Sequence, residues 1–286
     1  MKRAISLTGL GAVLLASSLA QVGAVAGSAG GGEGRASAPA PAPVAAQQSD
    51  TFRWRGALPA GRVIEVKGIN GRVEAAPASG GEVEVVAEKR SRRNSTAEVR
   101  VEVVEHAEGV TICAVYPSRE GDSPNVCAPG DGGRMNVRNN DVQVSFVVRV
   151  PAGVRFRGQT VNGGVEARDL TADVDARTVN GSIHVSTAGL VRAATVNGSI
   201  TAVMGRADWS DGLEFKTVNG AIDLSLPAAL STEVEAETVN GNIQTDFPLT
   251  VTGRFSKRRL TGTIGGGGRE LRLKTVNGSV IIRRAA

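Results

Sequence analysis

Thr178-Val179-Asn180-Gly181-Ser182-Ile183 is written, with small changes, six times in the carboxyl-terminal half of this chain. The other copies are Thr160-Val161-Asn162-Gly163-Gly164-Val165 and residues 195–200, 217–222, 238–243 and 275–280. Their asparagines are separated by 18, 17, 22, 21 and 37 residues. The last step is about two coils long, and Leu260-Thr261-Gly262-Thr263-Ile264 near its middle reads as a worn copy. Self-similarity at about 20 residues marks a stacked-repeat fold, in which no single repeat buries its own apolar face. Counted along the chain, Asn197 is a central corner and Asn277 lies near the end.

Two residues after the Val or Ile that follows each Asn-Gly comes a second, mostly apolar column: Ala167, Val185, Ala202, Leu224, Thr245 and Ile282. The residues between the columns are Glu166, His184, Thr201, Asp223, Gln244 and Ile281, mostly polar. That is a strand with one face buried and one solvated. Ahead of the motif, Leu271-Arg272-Leu273-Lys274-Thr275 and Leu213-Glu214-Phe215-Lys216-Thr217 alternate too. Their phase, carried forward, buries Thr and Asn and exposes Val, so it must slip near the turn, and either Thr or Val faces inward.

Asn-Gly is where the path bends, because both residues tolerate positive φ. A chain of hairpins uses the pair as a type I′ turn. A β-solenoid uses it as a corner, stacked at about 4.8 Å with the side-chain amides in a ladder. The columns favour stacking, since hairpins do not require them. Six or seven coils make a rod roughly 30 Å long. The expected fold is all-β, a single-stranded β-solenoid (β-helix or β-roll) over residues 158–286. Its corners are Asn162-Gly163, Asn180-Gly181, Asn197-Gly198, Asn219-Gly220, Asn240-Gly241 and Asn277-Gly278.

Residues 51–157 read as the same architecture with insertions. Ile69-Asn70-Gly71-Arg72-Val73 is an early copy of the motif, 92 residues before Asn162. Alternating β-branched runs at residues 63–67, 82–86, 99–103, 110–116 and 142–150 are strands. No segment has a 3.6-residue period, so almost no helix is expected. The largest insertion, residues 117–140, holds Cys127. Cys113 and Cys127 are the only cysteines, and an even count in an exported chain favours a disulfide pinning this loop. Two thiols with only His106 and His184 make a poor zinc site.

Residues 1–26 read as a secretory signal peptide: Lys2 and Arg3, an apolar run over 5–15, then Ala24-Val25-Ala26 as the cleavage site. A membrane anchor needs about 20 apolar residues, and Ser6, Thr8, Ser17 and Ser18 interrupt this one. No later run is apolar enough to span a bilayer, so an integral membrane protein is not expected. Residues 27–50, rich in Ala, Pro and Gly, read as a linker that cannot bury enough apolar surface to order itself. Removing Lys2 and Arg3 leaves 31 basic against 28 acidic residues, a net +3. With aromatic content of 3%, this excludes a nucleic-acid binder, which needs a basic field and stacking rings.

Catalytic motifs are missing: no G-x-S-x-G elbow, P-loop, dinucleotide fingerprint or H-E-x-x-H. No cofactor and no metal are expected, and the chain is read as non-enzymatic. The one tempting constellation is Asp208-Trp209-Ser210-Asp211-Gly212-Leu213-Glu214, whose carboxylates beside an aromatic ring suit glycoside cleavage. Asp169, Asp173 and Asp175 suit calcium only in part, since the nonapeptide of calcium-binding β-rolls is absent. Two basic clusters, residues 89–93 and 257–259, either meet anionic surfaces or keep sheet edges apart.

Four features together resemble the bacterial putative-adhesin domain family, exported β-repeat proteins of unknown function. They are Phe52-x-Trp54, Ile69-Asn70-Gly71-Arg72-Val73, the run Val148-Arg149-Val150-Pro151-Ala152-Gly153-Val154, and the iterated Thr-Val-Asn-Gly-Ser-Ile. They cover about residues 51–283. The resemblance implies a β-solenoid at the cell envelope with an adhesive role, and it brings no catalytic residues. The cysteine pair and the long insertion depart from it. The expectation is therefore an exported binding or structural protein, periplasmic or at the cell surface, whose partner is an envelope component. The alternatives are a polysaccharide-active enzyme on a β-helix and a periplasmic scaffold for an envelope partner.

Overall fold

The computed structural model describes residues 48–118, 121–251 and 256–285. The expected signal peptide and nearly all of the expected linker lie outside the described residues. The first strand, Gln48–Ala57, begins within the stretch read as linker.

The chain forms two sheets of 10 and 11 strands. From Arg155 onward, each coil lays one strand in the second sheet, turns at Asn-Gly, and lays the next in the first sheet. Thus Val174–Arg177 precedes the corner at Asn180, and Ile183–Thr187 follows it. Successive coils pair parallel and in register: Ile183 with Ile200, Ile200 with Ile222. The inward columns are buried between the sheets in one continuous core running from Ile64 to Ile282. Each fully buried Ile, such as Ile183, Ile200 or Ile222, contributes about 1.5–3 kcal/mol. The only helix among the described residues is a single 3-10 turn, Thr96–Glu98.

Thr faces inward and Val outward. Thr160, Thr178, Thr195, Thr217, Thr238 and Thr275 are all buried. Each hydroxyl donates to the corner-glycine carbonyl of the neighbouring coil at 2.7–2.9 Å, as Thr195 does to Gly181 and Thr217 to Gly198. The phase slips one step later than Thr, between Val and Asn, both of which point out.

Glycine is required at every corner by close approach, to which positive φ adds at three of them. No corner asparagine has positive φ, and of the glycines only Gly71, Gly163 and Gly278 do. A methyl group at Gly198 would overlap the carbonyl oxygen of Gly181, and one at Gly220 that of Gly198. The coils are stacked too closely for any Cβ.

The asparagine side chains form a ladder. Asn162 Nδ2 donates to Asn70 Oδ1, Asn180 to Asn162, Asn197 to Asn180 and Asn219 to Asn197, at 2.7–2.8 Å. The next rung is Asn277, donating to Asn219, and only then Asn240, donating to Asn277, both at 2.7 Å. Asn277 is therefore interior and Asn240 terminal, the reverse of their order in the sequence. The final coil, Glu270–Lys274 and Val280–Arg284, is inserted between the coils that hold Asn219 and Asn240. Residues 260–264 are not a worn corner. Arg259–Ile264 is a strand antiparallel to Thr232–Glu237 on one side and to Leu249–Val251, the edge of the second sheet, on the other.

At the amino-terminal end, Gln143–Val150 stacks parallel on Val73–Pro77, and Glu82–Ser91 and Gln48–Ala57 extend the first sheet antiparallel. The second sheet ends in Gly109–Val115, then antiparallel Arg100–His106. Cys113 and Cys127 form the expected disulfide, with Cα atoms 5.7 Å apart. It ties the insertion to the outer face of the second sheet, where Lys67 finishes the docking. Lys67 Nζ donates to the carbonyls of Ala128, Gly130 and Gly132 at 2.6, 2.5 and 3.2 Å. Beside it Glu65, only 1% exposed, accepts from Thr111 Oγ1 at 2.7 Å and from the Gly130 amide at 2.9 Å. Burial holds the Lys67 ammonium below the ordinary lysine value, against the opposing pull of Glu65 and Asp131.

Three outcomes test this architecture. Asn197→Ala and Asn277→Ala each lose two rungs and should cost about 1–2 kcal/mol, twice the loss for Asn240→Ala. Denaturant unfolding that groups Asn277 with Asn240 would refute the stacking order. Gly198→Ala should cost several kcal/mol, while Gly212→Ala, whose methyl group would meet only the Glu270 carboxylate at 4.0 Å, stays within about 0.5 kcal/mol. For the disulfide, Cys127→Ser should remove up to about 3 kcal/mol. Hydrogen exchange should then rise first at Val126 and Arg134, whose amides bond across the loop, and leave residues 183–226 protected.

The corner edge as candidate binding surface

Each corner sets four consecutive side chains with different fates. Thr is buried and hydrogen-bonded, Asn is laddered and Gly is a spacer, so the fold accounts for all three. Val has no such duty. Val179, Val239 and Val276 are 38%, 54% and 38% exposed, and Val161, Val196 and Val218 are partly so. Stacking at about 4.8 Å aligns them into one apolar stripe beside the asparagine ladder. The outward residues that precede the buried threonines flank it on the second sheet: Gln159, Arg177, Ala194, Lys216, Lys274 and Glu237.

The edge has a depression near each end. One, of about 470 Å³, has Val218, Val239 and Val276 as its apolar part and Lys216, Lys274, Arg258, Arg259 and Glu237 around them. Glu237 pairs with Arg259, and with Lys274 at 3.6 Å. Lys216 and Arg258 have no acidic partner among the described residues. The other, of about 580 Å³, is polar and lined by Asn70, Arg72, Arg90, Asp141, Gln143, Ser145 and Asn162 among others. Here Asp141 accepts the backbone amides of Arg92, Arg93 and Asn94 at 2.9–3.3 Å, which keeps its carboxyl below the usual range. Of the basic cluster at residues 89–93, Lys89 is buried and spent internally, on Asp50 at 2.6 Å and the Val99 carbonyl at 3.2 Å.

The residues singled out for catalysis or metal binding do not converge. Trp209 is 1% exposed with its ring in the core, so it lines no cleft. Asp208 is engaged by Arg206 at 2.8 and 3.0 Å, which lowers its carboxyl from the ordinary value. Asp169 accepts from Ser186 Oγ, Asp173 from the Leu190 amide, and Asp175 from Arg177. Among the described residues no cluster of His, Cys, Asp and Glu could hold a metal ion. His184 is exposed on the first sheet, and His106 Nε2 lies 3.1 Å from Thr111 Oγ1. Among the described residues no helix is long and apolar enough to cross a membrane.

The valine stripe is the feature that sequence reasoning left open. Its signal was present: Leu271, Leu273 and Thr275 are in one phase, and Arg272, Lys274 and Val276 in the other. What the phase could not supply was the break between Val and Asn.

No curated protein matches the sequence. Among solved structures, the chain is similar to a putative cell adhesion protein from Clostridium sporogenes, at 10% identity and a TM-score of 0.44, covering 82% of this chain and 100% of that one. It is also similar to a putative adhesin from Bacteroides fragilis, at 11% identity and a TM-score of 0.31, covering 82% and 97%. A putative adhesin from Parabacteroides distasonis follows at 12% identity and a TM-score of 0.28, with the same coverage. Residues 158–283 match the family model described as Toastrack DUF4097. Over residues 158–283 this chain is thus similar to the Toastrack DUF4097 family, in line with the resemblance to the putative-adhesin domain family.

Proposed function

We propose that this is an exported cell-envelope protein that acts by binding, without catalysis, through the corner edge of its solenoid. In this reading residues 1–26 direct export and residues 27–50 space the folded part from its surroundings. Residues 51–157 form the N-terminal β region that closes one end, and 158–286 the solenoid that presents the edge. The disulfide between Cys113 and Cys127 is consistent with an oxidising compartment outside the cytoplasm.

One observation carries the reading. Each of the six Thr-Val-Asn-Gly corners turns its valine outward, exposed at residues 179, 239 and 276 and partly so at 161, 196 and 218. Isolated exposed apolar residues need no explanation, but a contiguous row does. Stacked solenoids suit extended ligands because they offer long surfaces rather than deep pockets. A partner that runs along the edge would meet an apolar stripe, the outward amide groups of the ladder, and a flank of mostly paired charges in which Lys216 has no acidic partner among the described residues. An extended envelope polymer has the shape for this.

Co-sedimentation of the exported chain with cell-wall polysaccharide, membrane vesicles and whole cells tests the proposal. Saturable binding to one fraction should persist at high salt, because the stripe is apolar and salt screens only the flank. The triple variant Val179→Ser, Val239→Ser, Val276→Ser should keep its unfolding midpoint, since exposed substitutions change stability little, and should lose most of that binding. Undiminished binding by the folded variant, or no binding by the parent to any fraction, overturns it.

A further inference from the structure

Between Arg155 and Thr245 successive coils follow one another in the chain, and from Arg155 onward the last coil breaks that sequence of layers. Glu270–Lys274 lies between Leu213–Lys216 and Thr232–Glu237, parallel to both. Val280–Arg284 lies between Ile222–Leu226 and Ile243–Thr245. The coil is bonded on both sides. On one, the amides of Thr217, Gly220 and Ile222 donate to Lys274, Asn277 and Ser279. On the other, the amides of Thr275, Gly278 and Val280 donate to Glu237, Asn240 and Asn242. Leu271, Leu273, Val280 and Ile282 fill the core at this level. Without it, two coils would face each other across a gap one layer deep, with open parallel edges on both sides.

The chain reaches this layer through Gly265-Gly266-Gly267-Gly268, of which Gly265, Gly267 and Gly268 have φ of 58°, 74° and 119°. This connection crosses over Thr232–Glu237, which has Arg259–Ile264 on one side and Glu270–Lys274 on the other. Four glycines allow the connection to swing open, and an open connection frees the whole coil as a unit. The gap recognises only the coil's backbone edges and its buried side chains, and a second copy carries the same ones.

We propose that the C-terminal coil, residues 270–284, is an exchangeable module, and that the partner fitting its gap is the same coil of a second copy of this chain. Reciprocal exchange reproduces every hydrogen bond of the closed form in a twofold dimer, so only the connection differs between the two states.

Register gives a direct test. Ser225 is paired with Arg283, both on the solvated face. Full chains carrying Ser225→Cys are mixed with full chains carrying Arg283→Cys, warmed below the unfolding transition for hours, and oxidised. The expected result is a covalent heterodimer in severalfold excess over a control pairing Ser225→Cys with Arg192→Cys, an exposed position on the other sheet. The double variant Ser225→Cys, Arg283→Cys, kept dilute and unmixed, should close the bond within one chain. Chains that remain monomeric on warming, or dimers whose thiols join no more often than the control pair, overturn the proposal.

Discussion

The closeness of the layers at the corner is the constraint on which the structure depends. Parallel strands repeat at about 4.8 Å, and at the corner glycines one coil's backbone rests on the carbonyl of the next. No side chain fits there, so the residue is Gly. The carbonyl on which it rests accepts from the buried Thr hydroxyl of the following coil, which satisfies a donor that burial would otherwise leave unpaired. One residue before Gly, the Asn amides repeat at the same spacing and bond to one another. A single distance thus dictates three residue types, and the core columns inherit their register from it.

The same spacing admits a layer from anywhere in the chain. The coil at Asn277 takes its place beside Asn219 because its residues fulfil the same corner chemistry, whatever their order in sequence. The ends of the sheets obey a different rule. They are finished by antiparallel strands, by very short ones such as Ile243–Thr245 and Leu249–Val251, and by charged ones such as Arg100–His106. These devices discourage edge-to-edge growth. The disulfide-bonded insertion lies on the flank rather than the end, held by Lys67 and Glu65.

Function is read from what this chemistry leaves unexplained. Thr, Asn and Gly each have a structural cause at the corner, whereas the outward Val has none beyond its fit to extended backbone. The row it makes lies along the corner edge, where the Asn and Gly contacts repeat from coil to coil. A repeated surface on a rigid support is well suited to a repeated ligand, and an aromatic ring or catalytic dyad is not needed for that. Trp209, the ring that suggested carbohydrate chemistry, is spent on the core.

The sequence by itself determined the repeat, the strands, the inward columns, the corner residues and the cysteine pair. Each follows from local periodicity or from residue chemistry that acts over a few positions. It could not show which of Thr and Val faces in, because alternation predicts the side chain only while the strand continues, and the break lies inside the corner. Only the tertiary structure decided that Gly serves packing at every corner and positive φ at only three, since a neighbouring coil's carbonyl is invisible from within one repeat. Only it placed residues 259–264 as an antiparallel strand next to the edge and the last coil inside the stack. The corner and columns are alike in each layer, so sequence order does not specify stacking order; the antiparallel return of Arg259–Ile264 and the glycine connection that follows it do.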